Sequence, residues 1–456
     1  MIAPARIAAY DILSAVSAGT ADLPTAIALA RSGLNDERDR ALAAETAAGV
    51  QRRRAALDHL IVAFAKRPID RLDSEIVEIL RLGAYQLLYL TRVPASAVVD
   101  DAVNLARRVG KGSASGFVNA ILRTISRRRR NLPLPPRPAD ARDRDAVLAY
   151  FSTTLSHPGW LAARWYDRLG FEAAERWMMF NNEPAPVTLR ANRLRVTVGE
   201  LADRLAADDV RVTPARFAAD ALLVENGHPL RGRGLDEGWF VVQDEASQLV
   251  AALADAGSHA RVLDACASPG GKATAMAAAM NGRGLLVACD VRGRRLELLR
   301  KTVAASGATN VRLVQADLLK PLPFSRPFDL VVVDAPCSGL GTLRRDPDIR
   351  WRRRESDLAP LAAAELTMLQ HAAVAVAPGG RLVYATCSSE PEENEGVVDA
   401  FLAAARDFAP LDARDASPLV PRAVVDSRGH LRTEPHTHGL EAFFGAVVVR
   451  SGIRWR

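Results

Sequence analysis

From about residue 243 onward, five short apolar runs alternate with helix-like stretches: RVLDA (261–265), GLLVACD (284–290), VRLVQAD (311–317), FDLVVVD (328–334) and GRLVYATC (380–387). No other feature constrains the fold as much. Strands buried on both faces read as continuous apolar runs, and a helix is the usual crossover between parallel neighbours. This half of the chain is therefore expected to form a mostly parallel sheet covered by helices on both faces. Its ligands would bind at the carboxyl ends of the strands.

The first 130 residues follow a different rule. Ile76, Ile79, Leu80, Gly83 and Leu87 recur at steps of three and four, which places one helical face against a core. PASAVVDDAVNLARRVG (94–110) and SASGFVNAILRTISRRRR (113–130) read as two further helices. The proline-rich, charged stretch NLPLPPRPADARDRD (131–145) reads as an extended linker. Beyond it, a Trp-rich helical stretch, HPGWLAARWYDRLG, precedes short candidate strands, VTLRAN and RVTP. The expected organisation is thus an all-α domain (1–130), a linker (131–145), a small α/β connecting domain (146–240) and an α/β domain (241–456). A length of 456 residues suits about three domains of ~150 residues.

Charge separates these parts. The net charge of +7 resides in residues 1–145, which hold 23 Lys/Arg against 16 Asp/Glu, while residues 146–456 carry 37 of each sign. A cationic module joined to a neutral one suggests a polyanion partner such as nucleic acid; an Arg-rich solvated surface, with 55 Arg to 5 Lys, is the plainer alternative. No apolar run is long enough to span a bilayer, and Tyr10 and Asp11 interrupt any signal-peptide core. A cytoplasmic protein without membrane contact is expected. The four cysteines, at 266, 289, 337 and 387, form no CxxC pair and should be free thiols. His436 and His438 lack a third ligand, so no metal is expected.

Asp264, Asp290, Asp317 and Asp334 end four of the apolar runs or stand close to their ends. In register, they would surround one crevice with carboxylates, which accept hydrogen bonds from ribose hydroxyls and amines and repel phosphates. The loop CASPGGKAT matches neither the dinucleotide nor the phosphate-loop pattern. S-adenosylmethionine, with a ribose, an amine and a sulfonium cation, fits better. Cys337 follows one strand and Cys387 ends the next, so both thiols can share that crevice. A thiolate adding to pyrimidine C6 would make C5 nucleophilic enough to take a methyl group, after which a base must remove the C5 proton. Asp334 is the natural group to contact cytosine N3 or N4. Glu392, Glu393 and Glu395 read as the acidic start of a helix. Arg344, Arg345, Arg350 and the Arg352–Arg354 run around Trp351 are candidates to grip an RNA strand, with the indole stacking on a base. Arg127 to Arg130 are a further candidate RNA contact.

The paired motifs DAPCSG and ATCS…PEENE resemble those of the RNA cytosine-5 methyltransferase family, and CASPGGK resembles its cofactor loop. The stretch from ILRLGAYQLLYL to FVNAILR resembles the RNA-binding domain of NusB-type antitermination factors. With SHPGWL and FVVQDEASQL between them, the whole is similar to the bacterial RsmB/Sun (Fmu) family of 16S ribosomal RNA methyltransferases. The resemblance implies an all-α NusB-like domain, a small α/β connector and a Rossmann-like class I methyltransferase domain. It implies methyl transfer from S-adenosylmethionine to C5 of one cytosine in 16S rRNA by a protein expected to be monomeric. Cys387 would be the nucleophile, Cys337 would assist proton removal and release, and Asp334 would stand between cofactor and cytosine. Asp290 would hold the ribose and Asp317 the adenine, while Cys266, Ala267, Ser268, Pro269, Gly270, Gly271 and Lys272 would wrap the methionine end. Ser268 stands where the family more often has alanine, and Glu441 where aspartate is commoner. Another structured RNA, transfer RNA or 23S rRNA, remains open as substrate. A non-catalytic ribosome-assembly or antitermination factor is the rival of another class.

Overall fold

The three- and four-residue apolar spacing at the start of the chain folds as helix: α1 (Pro4–Ser17), α2 (Leu23–Ser32), α3 (Glu37–Ala65), α4 (Ser74–Tyr89), α5 (Ala95–Arg108) and α6 (Ser115–Arg128). Entry to α2 is fixed by Asp22, whose carboxylate accepts from the Thr25 amide at 2.9 Å, and by a proline in the first turn. Ile76, Ile79 and Leu80 of α4 are buried with Leu13, Val50, Leu57, Leu105 and Leu122 in one apolar core. Beside that core the buried Arg6 guanidinium pairs with Asp101 and donates to Gln86 at 2.8 Å, joining α1 to α5 and α4.

A computed structural model describes residues 2–452, and in it the chain divides into two units. The first contains the described residues up to Pro184 and the segment Leu343–Glu355; the second contains Ala185–Thr342 and the chain from Ser356 onward. Helices α7 (Arg144–Ala149), α8 (Gly159–Leu169) and α9 (Phe171–Asn181) belong to the first unit. Trp165 and Trp177 there are fully buried with ring centroids 5.0 Å apart, and Phe151 stacks on Phe171 at 5.4 Å. The span 146–240 expected to form one connecting domain is thus divided. Its tryptophan-bearing helices lie in the first unit, and its strands, with the helix between them, lie in the second. Residues 131–143 hold no helix or strand, but they are tied down within the first unit. His59 contacts the Pro133 carbonyl at 2.8 Å, the Thr154 hydroxyl donates to the Pro135 carbonyl at 2.6 Å, and Arg137 bonds both oxygens of Glu175 at 2.8 Å.

The second unit opens with an antiparallel sheet in the order β2-β3-β1-β4, made of β1 (Thr188–Ala191), β2 (Arg211–Pro214), β3 (Ala221–Asn226) and β4 (Phe240–Val242). Helix α10 (Val198–Ala207) lies between β1 and β2 and starts with a reciprocal Thr197–Glu200 capping box. The chain continues through α11 (Glu245–Ala254), β5 (Arg261–Asp264), α12 (Gly271–Ala279), β6 (Leu285–Asp290), α13 (Gly293–Ser306), β7 (Val311–Gln315) and β8 (Phe328–Asp334). It leaves for the first unit, where α14 (Ile349–Arg352) lies. It returns as α15 (Leu358–Val374), β9 (Val376–Thr386), α16 (Glu395–Ala404), β10 (Phe408–Leu411), α17 (Ala413–Ala416), β11 (Leu431–Thr433), α18 (Pro435–His438) and β12 (Phe443–Arg450). The large sheet runs β10-β12-β9-β8-β5-β6-β7, with β11 paired to β12. The strands from β9 to β7 in that order are parallel, and β12 is antiparallel to β9 and β10. Apolar side chains cover both faces, one set around Leu249, Met276 and Leu330 and the other around Val331, Leu369 and Phe401. The strand order reverses on either side of β5, so a crevice opens at the carboxyl ends there. No described helix is long and apolar enough to cross a membrane.

Candidate active site

Parallel register brings the strand-end carboxylates together. Asp264 ends β5, Asp290 ends β6, Asp334 ends β8, and Asp317 lies two residues beyond β7. These are adjacent strands of one sheet, so the four acids line one edge. Asp290 accepts from the Arg292 amide and pairs with Arg295 at 3.3 Å; Asp317 accepts from the Leu319 amide at 3.0 Å. Asp264 differs from both. It is 1% exposed and neither of its oxygens forms a hydrogen bond of normal geometry. Burial, reinforced by the Asp334 charge, pushes its carboxyl up to about 7.

The sign of the pH effect follows. A buried acid with a raised folded-state pKa favours folding below its unfolded value, near ~4, and loses that contribution as pH rises through the folded value. Asp264→Asn should therefore gain thermal stability relative to the parent chain between about pH 5 and pH 8. Parallel melting curves across that range, with no gap opening between the two proteins, would contradict a buried, raised Asp264.

The loop from Cys266 to Lys272 follows β5 and contains a cis Ser268–Pro269 peptide bond. Gly270 has φ 107°, and a Cβ there would meet the Leu299 side chain at 2.8 Å, so a side chain is disfavoured on both counts. Ser268 donates through its hydroxyl to the Arg295 carbonyl at 3.0 Å, and Arg295 donates to the Ser268 carbonyl at 2.8 Å. Arg190 of β1, nearly buried, clamps the start of α12: its guanidinium donates to the Gly271 carbonyl, to the Thr274 hydroxyl at 2.8 Å and to the Gln243 amide oxygen at 2.6 Å. Sequence reading missed Arg190, because nothing local ties β1 to a loop some eighty residues later. Lys272 reaches the other way and bonds Asp334 at 2.6 Å. Burial opposes its charge, but Asp334, and after it Cys387 and Asp264, outweigh burial and hold the ammonium above the ordinary lysine value.

Beyond Asp334 the two cysteines meet. β8 and β9 are parallel neighbours with Asp334 opposite Ala385, so the segments leaving them emerge side by side. The Cys337 and Cys387 sulfurs lie 3.3 Å apart, both half-buried. Gly341 fits against the same backbone: its amide donates to the Cys387 carbonyl at 2.9 Å, and a Cβ would lie 2.1 Å from the Ala442 oxygen and 2.7 Å from that of Cys387. Gly341→Ala should displace Cys387 and slow any reaction of its thiol by about 10²-fold, a loss that an ångström of misplacement can cause. Unchanged turnover in that variant would show that the thiol tolerates the shift. The Cys337 thiol is held well above the ordinary value by its bond to Cys387, then by burial and by the Cys387 and Glu393 charges. Burial raises Cys266 well above the usual range and Cys289 to about 12, which marks both as inert neutral thiols.

Two expectations change on contact with the structure. Arg350, read as an RNA-gripping residue, is 0% exposed. Its guanidinium donates to the Ser156 carbonyl at 3.0 Å, Asn182 Oδ1 at 2.9 Å and the Asn181 carbonyl at 3.2 Å, and burial lowers its pKa well below the ordinary value. Trp351 donates its indole N–H to the Gln51 carbonyl at 2.7 Å, and Arg54 covers its ring at 5.8 Å. Both residues hold the returning segment inside the first unit. Arg344 lies on the Phe180 ring at 4.3 Å, and Arg345 is half-buried. Glu393, expected at an acidic helix start, instead turns inward and is 0% exposed. It accepts from the Ser338 amide and hydroxyl at 2.6 Å and from the Ser388 hydroxyl. His438 bonds the Glu434 amide at 2.9 Å and the Ala423 carbonyl at 3.0 Å, and His436 pairs with Glu434 at 3.6 Å, so this HxH closes a turn. Among the described residues, no group of three His, Cys, Asp or Glu is placed to hold a metal. Glu441 is buried two residues before β12.

Family models match along the chain: NusB at residues 3–127, the ferredoxin-like domain of RsmF/B-like methyltransferases at 157–231, and 16S rRNA methyltransferase RsmB/F at 251–449. The chain is 33% identical to the probable ribosomal RNA small subunit methyltransferase B of Bacillus subtilis, over 91% of this chain and 92% of that protein. The chain belongs to the RsmB/F family of 16S rRNA methyltransferases. It is also 37% identical to the putative methyltransferase Rv1407 of Mycobacterium tuberculosis, over 98% of this chain and 96% of that one. The crystal structure of PH0851 has the same fold, with a TM-score of 0.80 and 24% identity over 98% of this chain and 99% of that one. The fold expected of the family, a NusB-like helical domain followed by a connector and a methyltransferase sheet, is the one observed.

Proposed function

We propose that this chain transfers a methyl group from S-adenosylmethionine to C5 of one cytosine in 16S rRNA, through a covalent bond between Cys387 and C6. The observation that carries this reading is the meeting of two thiols, 3.3 Å apart, beside a row of strand-end carboxylates. The carboxylates suit the methyl donor. Asp290 and Asp317 offer acceptors for ribose hydroxyls and the adenine amine, and the loop Cys266–Lys272 receives the amino-acid end. The unpaired carboxyl of Asp264 is a buried polar group that a cationic ligand would satisfy. When bound, S-adenosylmethionine supplies an electrophilic methyl group.

The remaining chemistry belongs to the chain's own residues. Cys387 adds to C6, and electron density moves to C5, which takes the methyl group. Asp334, held by Lys272, accepts a hydrogen bond from the pyrimidine amine and steadies the adduct. Cys337 assists removal of the C5 proton; the C5–H electrons restore the ring double bond, the C6–S bond breaks, and Cys387 leaves as thiolate. The target base must leave its stack to reach these groups. The cationic first unit is the RNA grip in this reading. Arg127 to Arg130 are exposed there, and Ser96, Arg123, Thr124 and Arg127 line a groove of about 410 Å³.

The test is incubation with methyl-labelled S-adenosylmethionine and equal amounts of 16S rRNA, 23S rRNA, transfer RNA and DNA, followed by nucleoside analysis. The expected result is label in 5-methylcytidine from 16S rRNA. Label concentrated in another nucleic acid would move the substrate assignment, and bound RNA that never acquires label would leave a binding factor.

A further inference from the structure

Glu393 sits in a position that its motif does not explain. A buried carboxylate is costly to ionise unless donors surround it. Among the described residues, the Ser338 amide, the Ser338 hydroxyl and the Ser388 hydroxyl donate to it, and the side chain of Glu365 also hydrogen-bonds it. Ser338 directly follows Cys337, and Ser388 directly follows Cys387. One side chain therefore grips both segments that carry the thiols, one leaving β8 and the other leaving β9. The two serine hydroxyls also contact each other at 3.2 Å, which closes a small ring of polar atoms behind the sulfurs.

We propose that Glu393 is a positioning residue that fixes the distance between Cys337 and Cys387 by accepting hydrogen bonds from the serine that follows each of them. This rests on the reading of those cysteines as the reacting pair. Without the carboxylate, the ties left between the two segments include the serine–serine contact and the Gly341–Cys387 backbone bond, neither of which joins the two serines through one rigid group. The neighbouring Glu365, 0% exposed, lies 3.1 Å from the Tyr384 hydroxyl oxygen, to which its protonated carboxyl can donate. Burial, with Glu393 and Cys337 adding to it, pushes its carboxyl up to about 10. It is thus a neutral acid, so a second negative charge does not form beside Glu393. The same Tyr384 hydroxyl donates to the Glu393 carbonyl at 2.6 Å, which anchors the backbone that presents the clamp.

Disulfide trapping reads the distance without requiring methyl transfer. Diamide takes two electrons and two protons from a thiol pair as the S–S bond forms, and the linked Cys337–Cys387 peptides are quantified by mass spectrometry in the full-length protein. The parent chain should close this disulfide readily, because little movement separates 3.3 Å from a bond. Glu393→Ala should close it several-fold more slowly, and Glu393→Gln should fall between, since an amide keeps the shape but loses one acceptor. In the same variants, turnover on RNA should fall by about 10²-fold with KM and methyl-donor affinity unchanged. If Glu393→Ala does not fold, judged by its melting curve, Ser388→Ala removes a single donor and carries the same expectation in weaker form. A folded Glu393→Ala, or Ser388→Ala in its place, that oxidises at the parental rate would overturn the proposal. Should trapping depend on Glu393 while the parent chain methylates no RNA, the clamp stands and the enzymatic reading falls.

Discussion

Cys387→Ala should abolish methyl transfer, lowering turnover by about 10⁴-fold or more, while binding of S-adenosylmethionine stays at the parental level. The size of the effect follows from the chemistry. Cytosine C5 is too weak a nucleophile to attack a methyl group, and no hydrogen bond or carboxylate in the crevice replaces the covalent activation that a C6–sulfur bond provides. Retained donor binding follows from the structure. Asp264, Asp290, Asp317 and the loop around Gly270 lie at the ends of β5, β6 and β7 and Asp334 at the end of β8, whereas Cys387 follows β9, the next strand. Single-turnover transfer and equilibrium binding of the donor separate the two. Substantial transfer by this variant would remove Cys387 from the nucleophile role, and loss of donor binding would make the cysteine a structural group.

Cys337→Ala should fail differently. With Cys387 intact, the adduct still forms and C5 still takes the methyl group, but the group that assists proton removal and release is gone. Protein should accumulate on RNA as a species that survives denaturation, with turnover falling to a small fraction of the parental value. The 3.3 Å contact makes the expected contrast sharp: the two sulfurs are near neighbours, yet the proposed mechanism has one form the bond and the other end it. If Cys337→Ala turns over normally, release does not depend on it. If it is inactive and leaves no adduct, its role precedes bond formation.

Much of this arrangement was legible before any coordinates. Continuous apolar runs separated by helical lengths specify parallel strands, and parallel strands bring their carboxyl ends to one edge, so Asp264, Asp290, Asp317 and Asp334 could be grouped from spacing alone. The thiols followed from the same geometry, since each ends or succeeds a neighbouring strand. What sequence could not give was which unit a segment packs into. RRDPDIRWRRRE carries the charge expected of an RNA contact, but Arg350 satisfies backbone carbonyls and Asn182 inside the first unit, a partnership built from residues 168 to 298 positions away. Glu393 misled for a local reason. An acid near a helix start satisfies the helix terminus by default, and only the two serine loops packed against it reveal that the side chain turns inward.

The most direct measurement of the central claim is peptide mapping of the trapped complex. Cys337→Ala is incubated with S-adenosylmethionine and 16S rRNA, denatured, and digested with nuclease and trypsin. A methylated cytidine nucleotide should be attached to the peptide Leu382–Arg406, at Cys387. A nucleotide carried by any other residue, or the absence of any covalent nucleotide from a variant that still binds RNA and methyl donor, would contradict that claim.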